Sequence, residues 1–328
     1  MTTLVTGGAG YIGAHVVRLL QEAGEHVVVV DDLSTGAADR IGDATLIELD
    51  VASPGAVEVL TTAMRDHDVD AVIHFAARKQ VGESVLRPTF YYAQNVGGLT
   101  NVIDAMVAAG VEKLVFSSSA ATYGSPEESV VSETARTAPI NPYGETKLIG
   151  EWLGRDAERA HGLKFVALRY FNVAGSGWDD LGDPAVLNLV PMVLERVTQG
   201  QPARLFGEDY DTPDGTCIRD YVHVADLADA HIASLDYLDR VDREFDVFNV
   251  GSGAGASVRE VIDAIARHTE LPVTVDVEPR RAGDPALLVA SPERIEQAMG
   301  WRTSRTFDDI IASAWSAWQA GPRAVELD

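Results

Sequence analysis

Two rhythms of apolar residues alternate along the first half of the chain. Short, nearly continuous runs at Leu4–Thr6, Val27–Val30, Thr45–Glu48, Ala71–Ile73, Lys113–Ser117 and Lys164–Arg169 are rich in β-branched residues and predict strands. Between them, Tyr11–Ala23, Pro54–Arg65, Pro88–Ala109 and Pro142–Ala160 space their apolar residues as helices do. Ser53 and Pro54 read as the N-cap and first residue of the second helix. Strands apolar on both faces and separated by helices imply a parallel sheet covered on both sides, a doubly wound α/β architecture.

The rhythm changes after residue 175. Gly175–Pro184 and Phe206–Thr216 are rich in Gly, Asp and Pro and read as loops. A helix near Val224–Leu238 and a strand near Asp246–Val250 follow, and helical patterns at Ser257–His268 and Phe307–Ala320 flank Pro272–Ala290. The expected organisation is two interleaved domains. Residues 1–175 plus about 223–254 would form the larger, and about 176–222 plus 255–328 a smaller substrate-binding one.

The first strand runs directly into Gly7-Gly-Ala-Gly-Tyr-Ile-Gly13 and a helix. Gly8, Gly10 and Gly13 fit G-x-G-x-x-G, whose glycines allow a tight turn and close approach of backbone to a pyrophosphate at the helix N-terminus. The next strand ends at Asp31-Asp32, eighteen positions beyond Gly13 in the case of Asp31, where a ribose 2′-hydroxyl acceptor belongs. The Asp31 carboxylate would also repel a 2′-phosphate, and Asp32 would strengthen that repulsion, so the expected cofactor of this Rossmann-type unit is NAD rather than NADP.

Tyr143 and Lys147 stand four residues apart at the start of a predicted helix, on one face of it. A phenol ionises near pH 10, so service as a base at neutral pH requires about 4 kcal/mol of help. A lysine one turn away and a positive nicotinamide ring could supply it. Ser117-Ser118-Ser119 closes another strand at its carboxyl end, where ligands of open α/β sheets bind, and a hydroxyl there can relay a proton to Tyr143.

Composition narrows the function further. The net charge of −24, from 26 basic and 50 acidic residues, disfavours nucleic acid and anionic membranes as partners. Cys217 is the only cysteine, which excludes a disulfide framework, and no cluster has metal-ligand spacing. The absence of a leader or an apolar run of roughly 18–20 residues points to a cytoplasmic protein. His74 and His223 sit in apolar surroundings and read as core or hydrogen-bonding residues.

Taken together, these motifs resemble the nucleotide-sugar 4-epimerases of the extended short-chain dehydrogenase/reductase superfamily. The likeness extends through Val72-Ile-His-Phe-Ala-Ala77, Val81-Gly-Glu-Ser84, Arg169-Tyr-Phe-Asn172, Arg219-Asp-Tyr-Val-His223 and Pro279-Arg-Arg-Ala-Gly-Asp284. The resemblance implies NAD-dependent interconversion of UDP-glucose and UDP-galactose, with a place in galactose metabolism. Tyr143 would be the base, Lys147 its electrostatic partner and Ser119 the proton shuttle. Gly7, Gly10, Tyr11, Ile12, Gly13, Asp31, Asp32, Leu33, Ser34, Thr35 and Gly36 would border NAD. So would Asp50, Val51, Phe75, Ala76, Ala77, Lys79, Asn95, Ser117 and Phe171, beside Tyr143 and Lys147. Lys79, Ser119, Tyr143, Asn172, Asn188, Leu189, Arg204, Leu205, Phe206, Arg219, Arg281, Asp284 and Leu288 would hold the UDP-hexose.

Similar proteins pair two helices in a homodimer, here Pro88–Ala109 and Pro142–Ala160. Two departures stand out. Ala121 replaces a common threonine, and Thr122 is not expected to restore its hydroxyl fully. Leu288 is intermediate where the pocket boundary is usually bulky or small, which suggests some N-acetylhexosamine turnover. Alternatives are a 4-epimerase of UDP-N-acetylglucosamine or UDP-glucuronate, a 4,6-dehydratase, which would want an acid pair at Ala120-Ala121, and a non-catalytic NAD sensor, which would lack the tyrosine or the lysine.

Overall fold

The computed structural model describes residues 1–242, 245–281 and 284–321. The last seven positions of the expected second domain lie outside them, as do Ala282 and Gly283 of the Pro279–Asp284 motif.

Seven strands form one parallel sheet: β1 (Thr2–Thr6), β2 (His26–Asp31), β3 (Thr45–Glu48), β4 (Ala71–His74), β5 (Lys113–Ser117), β6 (Lys164–Tyr170) and β7 (Phe245–Val250). Their spatial order is β7-β6-β5-β4-β1-β2-β3. The chain builds β1, β2 and β3 outward, then crosses back to place β4 on the other side of β1. That reversal opens a crevice at the carboxyl ends of β1 and β4, the place where such sheets bind ligands. Alternate residues of the strands feed two cores, one on each face. Val5, Val29 and Ile73 belong to the first, and Leu4, Val28 and Val72 to the second. This is the doubly wound fold that the continuous apolar runs imply.

Helix α1 (Tyr11–Glu22) follows β1 and packs beside α5 (Val224–Arg240). α2 (Ala56–Asp66) and α3 (Gly98–Ala109) pack together over the opposite face. α4 (Pro142–His161) starts at Asn141, whose side chain accepts a hydrogen bond from the Gly144 nitrogen.

Two expected helices differ from the sequence reading. The second starts at Ala56 rather than Pro54, because Ser53 and Pro54 belong to a turn and Gly55, at φ +83°, is left-handed. The span Pro88–Ala109 is not one α-helix. Pro88–Tyr91 and α3 are joined by a wider π turn over Tyr92–Gly97, which leaves Asn95 buried.

Apart from β7, the strands beyond residue 170 build smaller sheets, joined by Val130–Val131. Ile218–His223 pairs with Asn172–Ala174, Gly255–Ser257 and Leu287–Ala290, and the last of these with Val130–Val131. Ala203–Phe206 pairs in parallel with Val275–Glu278. A separate core of Val190, Leu194, Val261, Ile265 and Ile311 gathers the helices Leu189–Thr198, Val258–Thr269 and Phe307–Ala320. Among the described residues no helix is long and apolar enough to cross a membrane.

Candidate active site

The glycine turn leaves β1 with almost no room around its backbone. A Cβ on Gly7, which has φ +70°, would fall 2.7 Å from the Ala76 nitrogen. One on Gly13 would fall 2.3 Å from the Gly7 carbonyl oxygen. α1 begins at Gly10 with no side-chain cap and no acidic residue in its first turn, so its leading N–H groups face the crevice without an anion of their own.

The crevice is a cleft of about 580 Å³. Its walls include Gly7, Gly10, Tyr11, Ile12, Gly13, Asp31, Asp32, Ser34, Thr35, Asp50, Val51, Phe75, Ala76, Ala77, Lys79, Tyr143 and Lys147. The remaining expected cofactor residues stand behind that wall. Gly36 packs on Ala9, and the Leu33 nitrogen donates to Asp31. Phe171 joins a small core with Ala120, Tyr123, Val131 and Ala290. Asn95 accepts from the Arg78 nitrogen (2.8 Å) and donates to the Arg78 carbonyl and the Thr146 hydroxyl, so it braces the loop after β4.

Asp31 is buried, and its oxygens accept from the Ala9 and Leu33 nitrogens at 3.0 and 2.9 Å. Burial pushes its pKa up, while these hydrogen bonds pull it back. Each carboxylate oxygen retains a lone pair for a further donor such as a ribose hydroxyl. Asp32 is less free than expected. Its Oδ2 lies 2.8 Å from Arg78 Nη2, and its Oδ1 accepts from the Ser34 nitrogen and hydroxyl. Much of the repulsion expected from Asp32 toward a 2′-phosphate is therefore neutralised.

At the opposite end, three residues of α4 meet three consecutive serines. The Ser119 hydroxyl accepts from the Ala121 nitrogen at 3.1 Å and sits beside the Tyr143 phenol, where it pulls the phenol's pKa down. Lys147 Nζ donates to the Ser117 carbonyl at 2.7 Å, and Glu151 accepts from the Ser118 hydroxyl at 2.6 Å. Residues 143, 147 and 151 are four apart and share a helix face. Arg169 on β6 forks onto Glu151 at 2.8 and 2.6 Å, and both members of this pair are buried.

Burial pushes the Tyr143 phenol well above its ordinary range, reinforced by Tyr170 and opposed by Ser119. Burial likewise lowers Lys147 to about 7. Burial thus favours a neutral tyrosine, with Lys147 Nζ 5.8 Å from the centre of its ring. The unused donors of Lys147 remain available to a ligand beside Tyr143.

The expected sugar-nucleotide residues other than Lys79, Ser119 and Tyr143 belong to the smaller sheets and the segments around them, and of the whole set only Lys79 and Tyr143 line this cleft. The Arg281 guanidinium lies 3.9 Å from the centre of the Phe206 ring. Arg219 donates to the Ile218 and Pro285 carbonyls, with Nη2 3.4 Å from Asp284. Arg204 is exposed beside buried Leu205 on Ala203–Phe206. Asn172 is exposed at the start of its strand, Asn188 bonds Asp183, and Leu189 begins a helix. Leu288 packs against the Tyr123–Phe171 core. The Thr122 hydroxyl is fully buried and donates to the Ser119 carbonyl, so it cannot stand in for a hydroxyl at Ala121.

Sequence reasoning placed Arg78 in a cofactor-bordering stretch and Arg169 and Tyr170 in a motif without giving their side chains a role, and it missed Gln94, which lines the cleft, and Glu151 beneath it. Glu151 had a visible signal, the continued four-residue spacing after Lys147, whereas Gln94 had none.

His74 and His223 are buried hydrogen-bonding residues. His74 meets the Thr6 hydroxyl at 2.7 Å, and His223 caps α5. Among the described residues no three candidate metal ligands cluster.

A glycine cradle that a single Cβ would fill, an acidic residue ending β2 and a tyrosine–lysine pair across one crevice define a class, the dinucleotide-dependent enzymes of the short-chain dehydrogenase/reductase type. Within it the chain belongs to the NAD dependent epimerase/dehydratase family, whose model matches residues 3–251. It is 46% identical to the UDP-glucose 4-epimerase of Azospirillum brasilense, across 96% of this chain and 91% of that protein. With the UDP-glucose 4-epimerase of Halalkalibacterium halodurans it shares 44% identity, across 100% and 98%. The crystal structure of UDP-glucose 4-epimerase from Brucella ovis in complex with NAD superposes with a TM-score of 0.90 at 41% identity, covering 95% of this chain and 97% of that one. The enzyme from Bifidobacterium longum in complex with NAD⁺ and UDP gives 0.89 at 36%, covering 97% and 98%. The cofactor is NAD.

Proposed function

We propose that this chain interconverts UDP-glucose and UDP-galactose by oxidising and re-reducing C4 of the hexose. The observation that carries this reading is the Ser119–Tyr143–Lys147 group at the carboxyl edge of the sheet, in a protein whose relatives are UDP-glucose 4-epimerases. Tyr143 accepts the O4 proton, Ser119 relays it, and Lys147, anchored on the Ser117 carbonyl, acts as the electrostatic partner of Tyr143 and would contact the cofactor ribose. Bound NAD supplies the hydride acceptor and a positive ring that offsets the burial of Tyr143.

Inversion requires the 4-keto sugar to turn about its diphosphate link before reduction. Arg219 and Arg281 suit the diphosphate, because guanidinium forks match phosphate oxygens, and Asp284 suits a ribose hydroxyl. A firm hold on UDP beside a looser hold on the sugar permits the turn. Ala120 and Ala121 provide no acid pair for dehydration.

Purified protein given UDP-galactose without added NAD should form UDP-glucose. Tyr143→Phe should lower kcat by at least about 100-fold, the usual contribution of a positioned base. Full turnover by that variant would overturn the reading.

The same proposal includes a cytoplasmic homodimer paired through α3 and α4. Exposed Val107 on α3 and Trp152 on α4 support the pairing. Sedimentation at twice 35.1 kDa is the expected result.

A further inference from the structure

The side chain of Arg78 crosses the cofactor cleft. Its backbone is held on the β4 side by both ends of the Asn95 amide. Its guanidinium reaches the β2 side, where Nη2 meets Asp32 at 2.8 Å and Nη1 donates to the Ser34 hydroxyl at 2.7 Å. Nε contacts Gln94 Oε1 at 3.3 Å, and the Gln94 amide nitrogen donates to Asp50 Oδ2 at 3.1 Å at the end of β3. Asp32, Ser34, Arg78, Gln94 and Asp50 all line the same cleft.

These bonds form one chain from the end of β2, through the loop after β4 and the π turn, to the end of β3. It lies on the side of the glycine turn away from Tyr143, where the acidic end of β2 places the adenosine half of a dinucleotide. Each group but Gln94 comes from the carboxyl edge of the sheet, so the link joins walls that are otherwise separate.

We infer that Arg78 and Gln94 are cofactor-retaining residues, closing a polar clasp over the adenosine half of bound NAD. This rests on the cofactor site described above and extends it to residues outside the glycine motif. An enzyme that oxidises and re-reduces one carbon regenerates its NAD every cycle, so slow release costs it nothing in turnover. A clasp anchored on both walls must open before the dinucleotide leaves. Arg78 makes charge-assisted hydrogen bonds to Asp32 and Ser34, and losing them accelerates opening roughly tenfold.

The experiment measures cofactor retention directly. Wild-type, Arg78→Ala and Gln94→Leu proteins, loaded with radiolabelled NAD, are chased with unlabelled NAD, and label remaining on the protein is followed by rapid gel filtration. Thermal melting of each stripped protein checks that the variants fold. The clasp requires release from Arg78→Ala at least about tenfold faster than from wild type. It further requires a smaller effect for Gln94→Leu and a double variant no faster than Arg78→Ala, as coupled residues behave. Equal release from wild type and Arg78→Ala would overturn the clasp while leaving the cofactor site intact, as would strictly additive effects. A wild-type protein that takes up no NAD would overturn the cofactor reading, and the clasp with it.

Discussion

Tyr143 illustrates how a residue's chemistry depends on its surroundings. The motif places a lysine one helical turn away, yet burial raises the phenol and also lowers the lysine. A bound dinucleotide would add a positive ring beside both groups, opposing the effect of burial on the phenol. Stripped protein should keep Tyr143 protonated to above about pH 10, the ordinary phenol value, whereas NAD-loaded protein should ionise it closer to neutrality. Ultraviolet difference titration of wild type against Tyr143→Phe reads this, and identical curves with and without NAD would refute it. The residue types at 143, 147 and 119 were legible because short motifs carry them. The direction of the Tyr143 shift was not, because desolvation is set by distant segments that close around the ring.

At the scale of elements, α4 and the end of β5 are joined by two hydrogen bonds, Ser117 to Lys147 and Ser118 to Glu151, with Ser119 beside Tyr143. The buried Arg169–Glu151 pair anchors this joint to β6. Glu151→Gln would leave Arg169 as an uncompensated buried cation, so stability should fall by about 3–5 kcal/mol, measured by urea unfolding. Ser118→Ala removes only one hydroxyl. It should leave NAD content unchanged and reduce kcat several-fold, which single-turnover kinetics would show. Helix starts were legible where a cap or capping box marks them, as at Asn141, Ser257 and Thr306. The turn at Ser53–Gly55 and the π turn at Tyr92–Gly97 were not, because the first mimics an N-terminus and the second is shaped by the contacts of Asn95.

Across the whole molecule, burial holds His15, His74, His223 and His231 well below the ordinary imidazole value, to about 3 for the first two and about 4 for the others. Between those values and about 6.5 the unfolded chain binds these protons and the native protein does not. Stability conferred by the neutral rings is therefore complete above about pH 6.5 and declines as pH falls, by roughly 1 kcal/mol per unit for each ring. Buried Asp31 and Asp220, with raised values, act in the opposite direction at lower pH. The thermal midpoint should drop between pH 7 and pH 5, and a rise over that interval would contradict this account. Sequence alone determined the alternation of strands and helices, the glycine turn and the four-residue spacing of Tyr143 and Lys147, since each follows from backbone geometry over a few residues. Tertiary structure alone decided that Arg78 meets Asp32 across 46 positions, that Arg169 pairs with Glu151, and that Tyr143 and Lys147 lose their water. Those outcomes depend on which segments pack together, and local periodicity does not encode it.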